Sequence, residues 1–387
     1  MWKNRIVWLG LFILSLIGIS FYGKTISFCF FYAVLLVPVF SLLYIFLVYL
    51  TFKIYQRVDG SDIVANEPVP YYFTLQNEGF LSFAGIRVKF FGDFSKIGEL
   101  DDNREYELFP SEGIKLSTTL CCKYRGEYEV GIERAEITDI FRLFKISYRN
   151  KETLRVTVRP KMIFVPGLKS ESSELMSARD SFINKNTPDV LSREYETGDD
   201  IRKIRWKLFA STGKLMVRND IGEEKQGISV VLSTLRCGKK PMEYLPAESR
   251  MLECALAIVL YYAGKNTPVN ASFLKDGIVK CSIGSVSEFE DIYERFCNVS
   301  FEEGYSDEVL LENLLSDRVL FESRVVFFVV RRLSAKFYSV CELLNGNNVS
   351  VFIYKVGEDR PDDMDFSKLP STGLLNVPTE GELEEVI

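Results

Sequence analysis

Two uncharged apolar runs at the amino terminus constrain this chain more than any other feature. Neither Ile6–Tyr22 nor Thr25–Phe52 contains a charged residue. At ~1.5 Å rise per residue, the first reaches ~26 Å as a helix and the second exceeds the ~30 Å hydrocarbon core of a bilayer. Only Gly23 and Lys24 separate them, so residues 6–22 and 25–52 read as a hairpin embedded in a lipid bilayer. A cleaved signal peptide is the competing reading of the first run. Its one small-x-small candidate is Gly18-x-Ser20, and a second apolar run follows at once.

Basic flanks orient the hairpin. Lys3 and Arg5 precede it, Lys53 and Arg57 follow it, and Lys24 alone marks the tip. The positive-inside rule then puts both ends in the cytoplasm, which makes this a two-helix cell-membrane protein with a cytoplasmic soluble region. The eight cysteines fit a reducing compartment. None forms Cys-x-x-Cys, and Cys121 and Cys122, adjacent on an expected strand, point to opposite faces.

The soluble part divides by pattern. Residues 1–57 hold the two helices, and residues 58–160 read as an all-β sandwich. In the latter, Val69, Tyr71, Phe73 and Leu75 alternate ahead of an Asn77-Glu78-Gly79 turn, and further runs fall at Ile114–Tyr124, Tyr128–Ile137 and Leu154–Val158. Residues 161–226 form a polar linker followed by a dense charged segment. Residues 227–356 alternate strand and helix: Ile228–Leu232, a buried helix over Ser249–Ala263, a hairpin of Val269–Leu274 and Ile278–Ile283, then Arg324–Val330, a helix over Lys336–Leu344 and Val349–Val356. Residues 357–387, with nine carboxylates, two basic residues and three prolines, read as a flexible acidic tail.

The chain contains no histidine, which removes Ser-His and Cys-His nucleophilic systems and His-ligated zinc. Thr212-Gly213-Lys214 lacks the rest of a phosphate loop, since Leu208 and Leu215 stand where that pattern needs Gly and Ser/Thr. No cofactor is expected. A net charge of −6 argues against nucleic-acid binding.

The densest segment is Arg193–Arg218, REYETGDDIRKIRWKLFASTGKLMVR. Seven basic and four acidic residues alternate there with three aromatics. Ile201, Ile204 and Leu208 have helical spacing, Asp199 or Asp200 suits an N-cap, and Gly213 suits a stop. Capping and the helix dipole account for the Asp199-Asp200 pair without acid–base chemistry. The segment resembles the signature of the bacterial family called domain of unknown function 58. The likeness falls on Arg193, Tyr195, Gly198, Asp199, Arg202, Ile204, Trp206, Lys207, Gly213, Lys214, Leu215, Met216, Val217 and Arg218. A second stretch, Arg125–Phe144, resembles the segment that precedes that signature, with Arg142 where the family often has Gly. Phe209 and Ser211 also depart from the usual residues after the Trp.

The resemblance implies a membrane-anchored, non-enzymatic adaptor or assembly factor working with a MoxR-type AAA+ ATPase and with other membrane or A-domain proteins. The alternative is an envelope-facing enzyme or enzyme accessory whose soluble part lies outside the membrane. The 227–356 pattern is similar to a von Willebrand factor A-like α/β domain. In that fold, Asp-x-Ser-x-Ser at the end of the first strand holds a divalent ion. Here Ser233, Leu235 and Cys237 stand at those positions, so the metal site reads as degenerate and no ion is expected. The signature residues Arg193, Tyr195, Gly198, Asp199, Arg202, Trp206, Lys207, Lys214 and Arg218 are the candidate docking set, and the arginines Arg193, Arg202, Arg205 and Arg218 admit two readings: an internal salt-bridge lattice with Glu194, Glu196, Asp199 and Asp200, or a docking face for an acidic partner.

Overall fold

A computed structural model describes residues 1–60, 62–98, 100, 104–150, 152–168, 192–195, 204, 206–218, 227–275, 277–304, 306–316, 318–357, 366, 369, 371–386. The chain forms two compact units, Met1–Lys161 and Met162–Ile387.

The first unit opens with α1 (Trp2–Tyr22) and α2 (Thr25–Thr51). Both are long and apolar enough to cross a membrane. The reversal between them is tight: Gly23 takes the left-handed conformation at φ 51, and its N–H caps the Ile19 carbonyl. The helices run antiparallel. The Trp8 indole N–H donates to the Val34 carbonyl at 3.0 Å, and the rings of Phe12 and Phe31 meet at 5.8 Å. The end of α2 has a second role. Ser41, Tyr44, Ile45 and Val48 are buried, and β1 (Phe52–Val58) starts at the next residue after the helix ends. No linker separates the apolar helix from the sheet.

Two four-stranded antiparallel sheets follow. One has the order β1, β3 (Pro68–Asn77), β7 (Gly113–Cys122), β5 (Ser95–Ile97). The other has β10 (Lys145–Arg149), β9 (Ile132–Thr138), β4 (Phe83–Phe90), β6 (Glu105–Leu108). A third sheet joins β2 (Ile63–Val64), β11 (Leu154–Arg159) and β8 (Gly126–Val130). The alternation at Tyr71, Phe73 and Leu75 puts all three inside. Rings cross between the two large sheets, Phe52 on Phe83 at 6.3 Å and Phe73 on Phe90 at 5.7 Å, so these sheets face each other across an aromatic core.

The expected single run Tyr128–Ile137 is in fact two strands in different sheets. Gly131, at φ 83, makes the break. A Cβ there would lie 2.5 Å from Gln56 Oε1 and 2.8 Å from the Tyr71 hydroxyl, so only glycine fits where the chain changes sheets.

In the second unit, β12 (Ser192–Glu194) pairs antiparallel with β13 (Met216–Arg218), and α3 (Trp206–Thr212) lies between them in sequence. The rest is one six-stranded sheet. Its order is β16 (Ile278–Ile283), β15 (Val269–Leu274), β14 (Gly227–Leu232), β17 (Ser323–Val330), β18 (Ser350–Val356), β19 (Thr372–Val377). Every neighbouring pair is parallel except β15–β16, the expected hairpin. The longer described helices are α4 (Pro241–Gly264), α5 (Phe289–Cys297), α6 (Asp307–Ser316) and α7 (Ala335–Gly346).

Alternate residues of the central strands feed two separate cores. Val325, Phe327 and Val329 join α4 and α5 on one face, while Val326, Phe328 and Val330 join α6 and α7 on the other. A strand buried on both faces is apolar throughout, which is why SRVVFFVV shows no polar alternation.

Two expectations about loops are corrected. The 161–226 segment is not all linker, because Ile163, Val165 and Leu168 bury in the core on the α4 and α5 face of the sheet. Their apolar side chains find cover without regular hydrogen bonding. Nor is 357–387 a free tail: Thr372–Val377 adds a sixth parallel strand, and Val377 and Leu383 are buried. The charge count of the tail concealed the short apolar run Gly373-Leu374-Leu375, which an open sheet edge recruits. Residues 358–365 lie outside the described residues.

Candidate functional site

The signature segment folds as a clasp. Arg193 stands opposite Val217, Ser192 opposite Arg218, and the Tyr195 N–H donates to the Leu215 carbonyl at 2.9 Å. The two ends of the motif, 25 residues apart, therefore pair side by side, and Lys214 lies exposed in the turn beside them. The expected helix is shorter than its periodicity suggests. It starts at Trp206, and Ile204 lies in an isolated bridge before it. Gly213 at φ 71 ends it, with its N–H on the Phe209 carbonyl at 2.8 Å. Glu196, Gly198, Asp199, Asp200, Ile201, Arg202 and Arg205 lie outside the described residues, as do the side chains of Arg193, Glu194, Lys207 and Arg218.

Trp206 is 58% exposed. It lies outside the buried core; its ring meets Phe209 edge to face at 6.3 Å, and Phe209 and Leu215 are exposed as well. A tryptophan left in water beside a phenylalanine is the composition of an interface anchor rather than of a core.

A second constellation occupies the carboxyl end of β14, beside the point where the strand order reverses between β14 and β17. In open α/β sheets that edge is where ligands sit. Ser233 is buried there, and its hydroxyl donates to Asp307 Oδ1 at 2.6 Å. Leu235 bridges Glu302 through the backbone, and the Cys237 carbonyl accepts from the Arg331 guanidinium at 2.5 Å. Arg236 reaches Glu248 with two nitrogens, at 2.8 and 3.3 Å, and its guanidinium lies 4.2 Å from the centre of the Tyr244 ring.

Sequence reading found Ser233, Leu235 and Cys237 but not their partners. Asp307 opens α6, 74 residues away, and Arg331 follows β17; no local pattern ties either to β14. A carboxylate thus reaches the strand end from a distant helix. Among the described residues, no group of three or more His, Cys, Asp or Glu side chains is placed to hold a metal ion. The Ser233–Asp307 pair, with no imidazole to relay a proton, ties the strand end to α6, while Arg236–Glu248 ties it to α4.

Burial raises the Asp307 carboxyl above its ordinary range, and the Ser233 hydroxyl pulls it partly back. A raised folded-state value means that the folded protein holds this proton more tightly than the unfolded chain. Stability from this group is therefore present at low pH and is lost as pH rises through the folded value. Ser233→Ala removes the pull-back and enlarges that loss, whereas Asp307→Asn abolishes it. Urea titrations from acid to neutral pH measure the effect. If Ser233→Ala leaves the pH slope unchanged, the hydroxyl does not stabilise the carboxylate.

No family model matches the chain, and no curated protein matches it. Among solved structures, the CARDB domain of a Pyrococcus furiosus protein in complex with di-metal ions is 18% identical. It covers 28% of this chain and 89% of that one, at a TM-score of 0.18. An exo-β-N-acetylglucosaminidase from Vibrio harveyi is 7% identical over 79% of this chain and 57% of that one, at 0.17. Bacteroides uniformis β-glucuronidase 2 gives 7%, 79%, 34% and 0.19. Similarities at such TM-scores carry no conclusion about fold or activity.

Proposed function

We propose that this chain is a membrane-tethered, non-enzymatic adaptor of the domain of unknown function 58 type, docking a MoxR-type AAA+ ATPase through its signature clasp on the cytoplasmic side. The exposed Trp206–Phe209 pair beside Lys214 carries the proposal. Large, rigid aromatics at a solvent face gain most when a partner desolvates them. The ATPase would supply nucleotide hydrolysis, and this chain would supply position.

Three further features support the reading. The sheet order, with one antiparallel hairpin at its edge, fits a von Willebrand factor A-like domain. Arg142, where the resembling family often has Gly, adopts φ 54, a conformation in which glycine is strain-free. The direct run of α2 into β1 suits a tether that holds its domain at a fixed distance from the bilayer.

Trp206→Ala should change stability by only about 0.5 kcal/mol, as exposed substitutions do. It should weaken capture of the ATPase from detergent-solubilised membranes by ~2 kcal/mol, about 30-fold. Undiminished capture by the variant would remove the clasp as the docking site.

A further inference from the structure

We infer that three loop tips of the first unit, carrying Phe80, Phe109 and Ile140-Phe141, are immersed in the headgroup–acyl boundary of the bilayer as a second, non-spanning membrane contact. This rests on reading α1 and α2 as membrane-spanning.

The four side chains are 77%, 65%, 63% and 50% exposed. They come from three loops, β3–β4, β6–β7 and β9–β10, that converge at one end of the unit. The fully buried Asn77 amide donates to the Leu81 carbonyl at 2.7 Å and the Phe109 carbonyl at 2.9 Å, and the Ser111 N–H donates to the Gly79 carbonyl at 3.3 Å. Phe80 and Phe141 also line one apolar groove of about 320 Å³ together with Phe40, Leu43 and Leu47 of α2.

The hairpin fixes the depth of this end. The pairings of Trp8 with Val34 and Phe12 with Phe31 place the start of α1 level with Phe40 and Ser41 of α2. The 21 residues of α1 measure ~31 Å, the thickness of a hydrocarbon core, so the start of α1 marks the membrane face. The loop tips are tied to that plane. The Asn4 amide donates to the Phe141 carbonyl at 2.9 Å, the Arg5 guanidinium to the Leu143 carbonyl at 2.8 Å, and the Tyr44 hydroxyl to the Ser82 carbonyl at 2.7 Å. Trp2 is exposed at the same level, as interfacial tryptophans are. Below the plane, Leu42, Leu43, Phe46 and Leu50 of α2 also remain exposed beside the sheets. Water is a poor solvent for so continuous an apolar band. The headgroup–acyl boundary covers the tips and the groove between them.

The test uses the full chain in vesicles of phosphatidylethanolamine and phosphatidylglycerol, with a photo-crosslinking phenylalanine analogue placed singly at positions 80, 109 and 141. Position 28 in α2 and Tyr72, an exposed ring five residues into β3 from Asn77, serve as references. Mass spectrometry reads lipid adducts. Adducts at 80, 109 and 141 at a level comparable with position 28, and none at 72, are expected. Adducts at 28 alone overturn the inference and leave the spanning hairpin standing. No adducts anywhere overturn both. Adducts joining two copies of the chain at 80 or 141 assign the rim to self-association and overturn it as well.

Discussion

Replacing Phe327 by alanine lowers the stability of the second unit by about 3–5 kcal/mol, the range for truncating a buried aromatic. Phe327 is fully buried at the centre of β17, between β14 and β18. Its ring meets Tyr262 of α4 at 5.6 Å, Phe352 at 5.6 Å and Tyr354 at 6.1 Å. Hydrogen exchange of the Ser323–Val330 amides in urea reports this unit directly, since these strands open only when the core does. A loss below ~1 kcal/mol would mean that the two cores around the sheet are not cooperative. Phe327→Leu, which fills more of the space, should recover more than half of the loss.

Asp139→Ala costs the first unit about 3–5 kcal/mol, as breaking a buried, charge-assisted network does. Asp139 is 2% exposed and sits where the α1–α2 hairpin meets the sheets. Its carboxylate accepts from the Ser41 hydroxyl of α2, from the Phe144 N–H at 2.7 Å and from the Phe141 N–H at 3.2 Å. Alanine removes the acceptor of all three donors. Asp139→Asn keeps one acceptor oxygen and should cost less. The variants are compared by thermal unfolding in detergent, with limited proteolysis within residues 139–144 as the local readout. The same substitution frees the tip that carries Phe141. If Asp139→Ala melts with the wild type and resists cleavage, the carboxylate does not join helix to sheet.

The two effects have different physical origins. Phe327 is a packing residue whose burial its own strand announces. Asp139 is a polar residue in a stretch that sequence reading singled out for its likeness to a family segment, and its partner on α2 is 98 residues away.

Local pattern carried much of the architecture. The uncharged runs at 6–22 and 25–52 became α1 and α2, and the alternation at Tyr71, Phe73 and Leu75 became the inward face of β3. The strands Ile228–Leu232, Val269–Leu274 and Ile278–Ile283 lie where their apolar runs end at turn residues. These features are governed by contacts between near neighbours: helix rise, strand pleat and glycine turns. Gly213 ends its helix for the same reason.

Boundaries set by tertiary contact were not legible. Tyr128–Ile137 reads as one run, yet it splits at Gly131, where Gln56 and Tyr71 leave no room for a Cβ. Thr372–Val377 lies in an acidic stretch and becomes a strand because β18 offers it an unpaired edge. The α4 helix begins at Pro241, two turns ahead of its apolar stripe, because proline is tolerated in a first turn and Glu248 is held by Arg236.

The candidate sites divide in the same way. Sequence alone determined the chemistry available to this protein: no imidazole, a charged aromatic motif between residues 193 and 218, and a strand end bearing Ser233, Leu235 and Cys237. Only the tertiary structure decided that Trp206 faces solvent, that Asp307 stands on Ser233, and that Phe80, Phe109 and Phe141 share one rim with the start of α1. Residue type and spacing act over a few positions of the chain, whereas exposure and partnership depend on which distant segments the fold brings alongside.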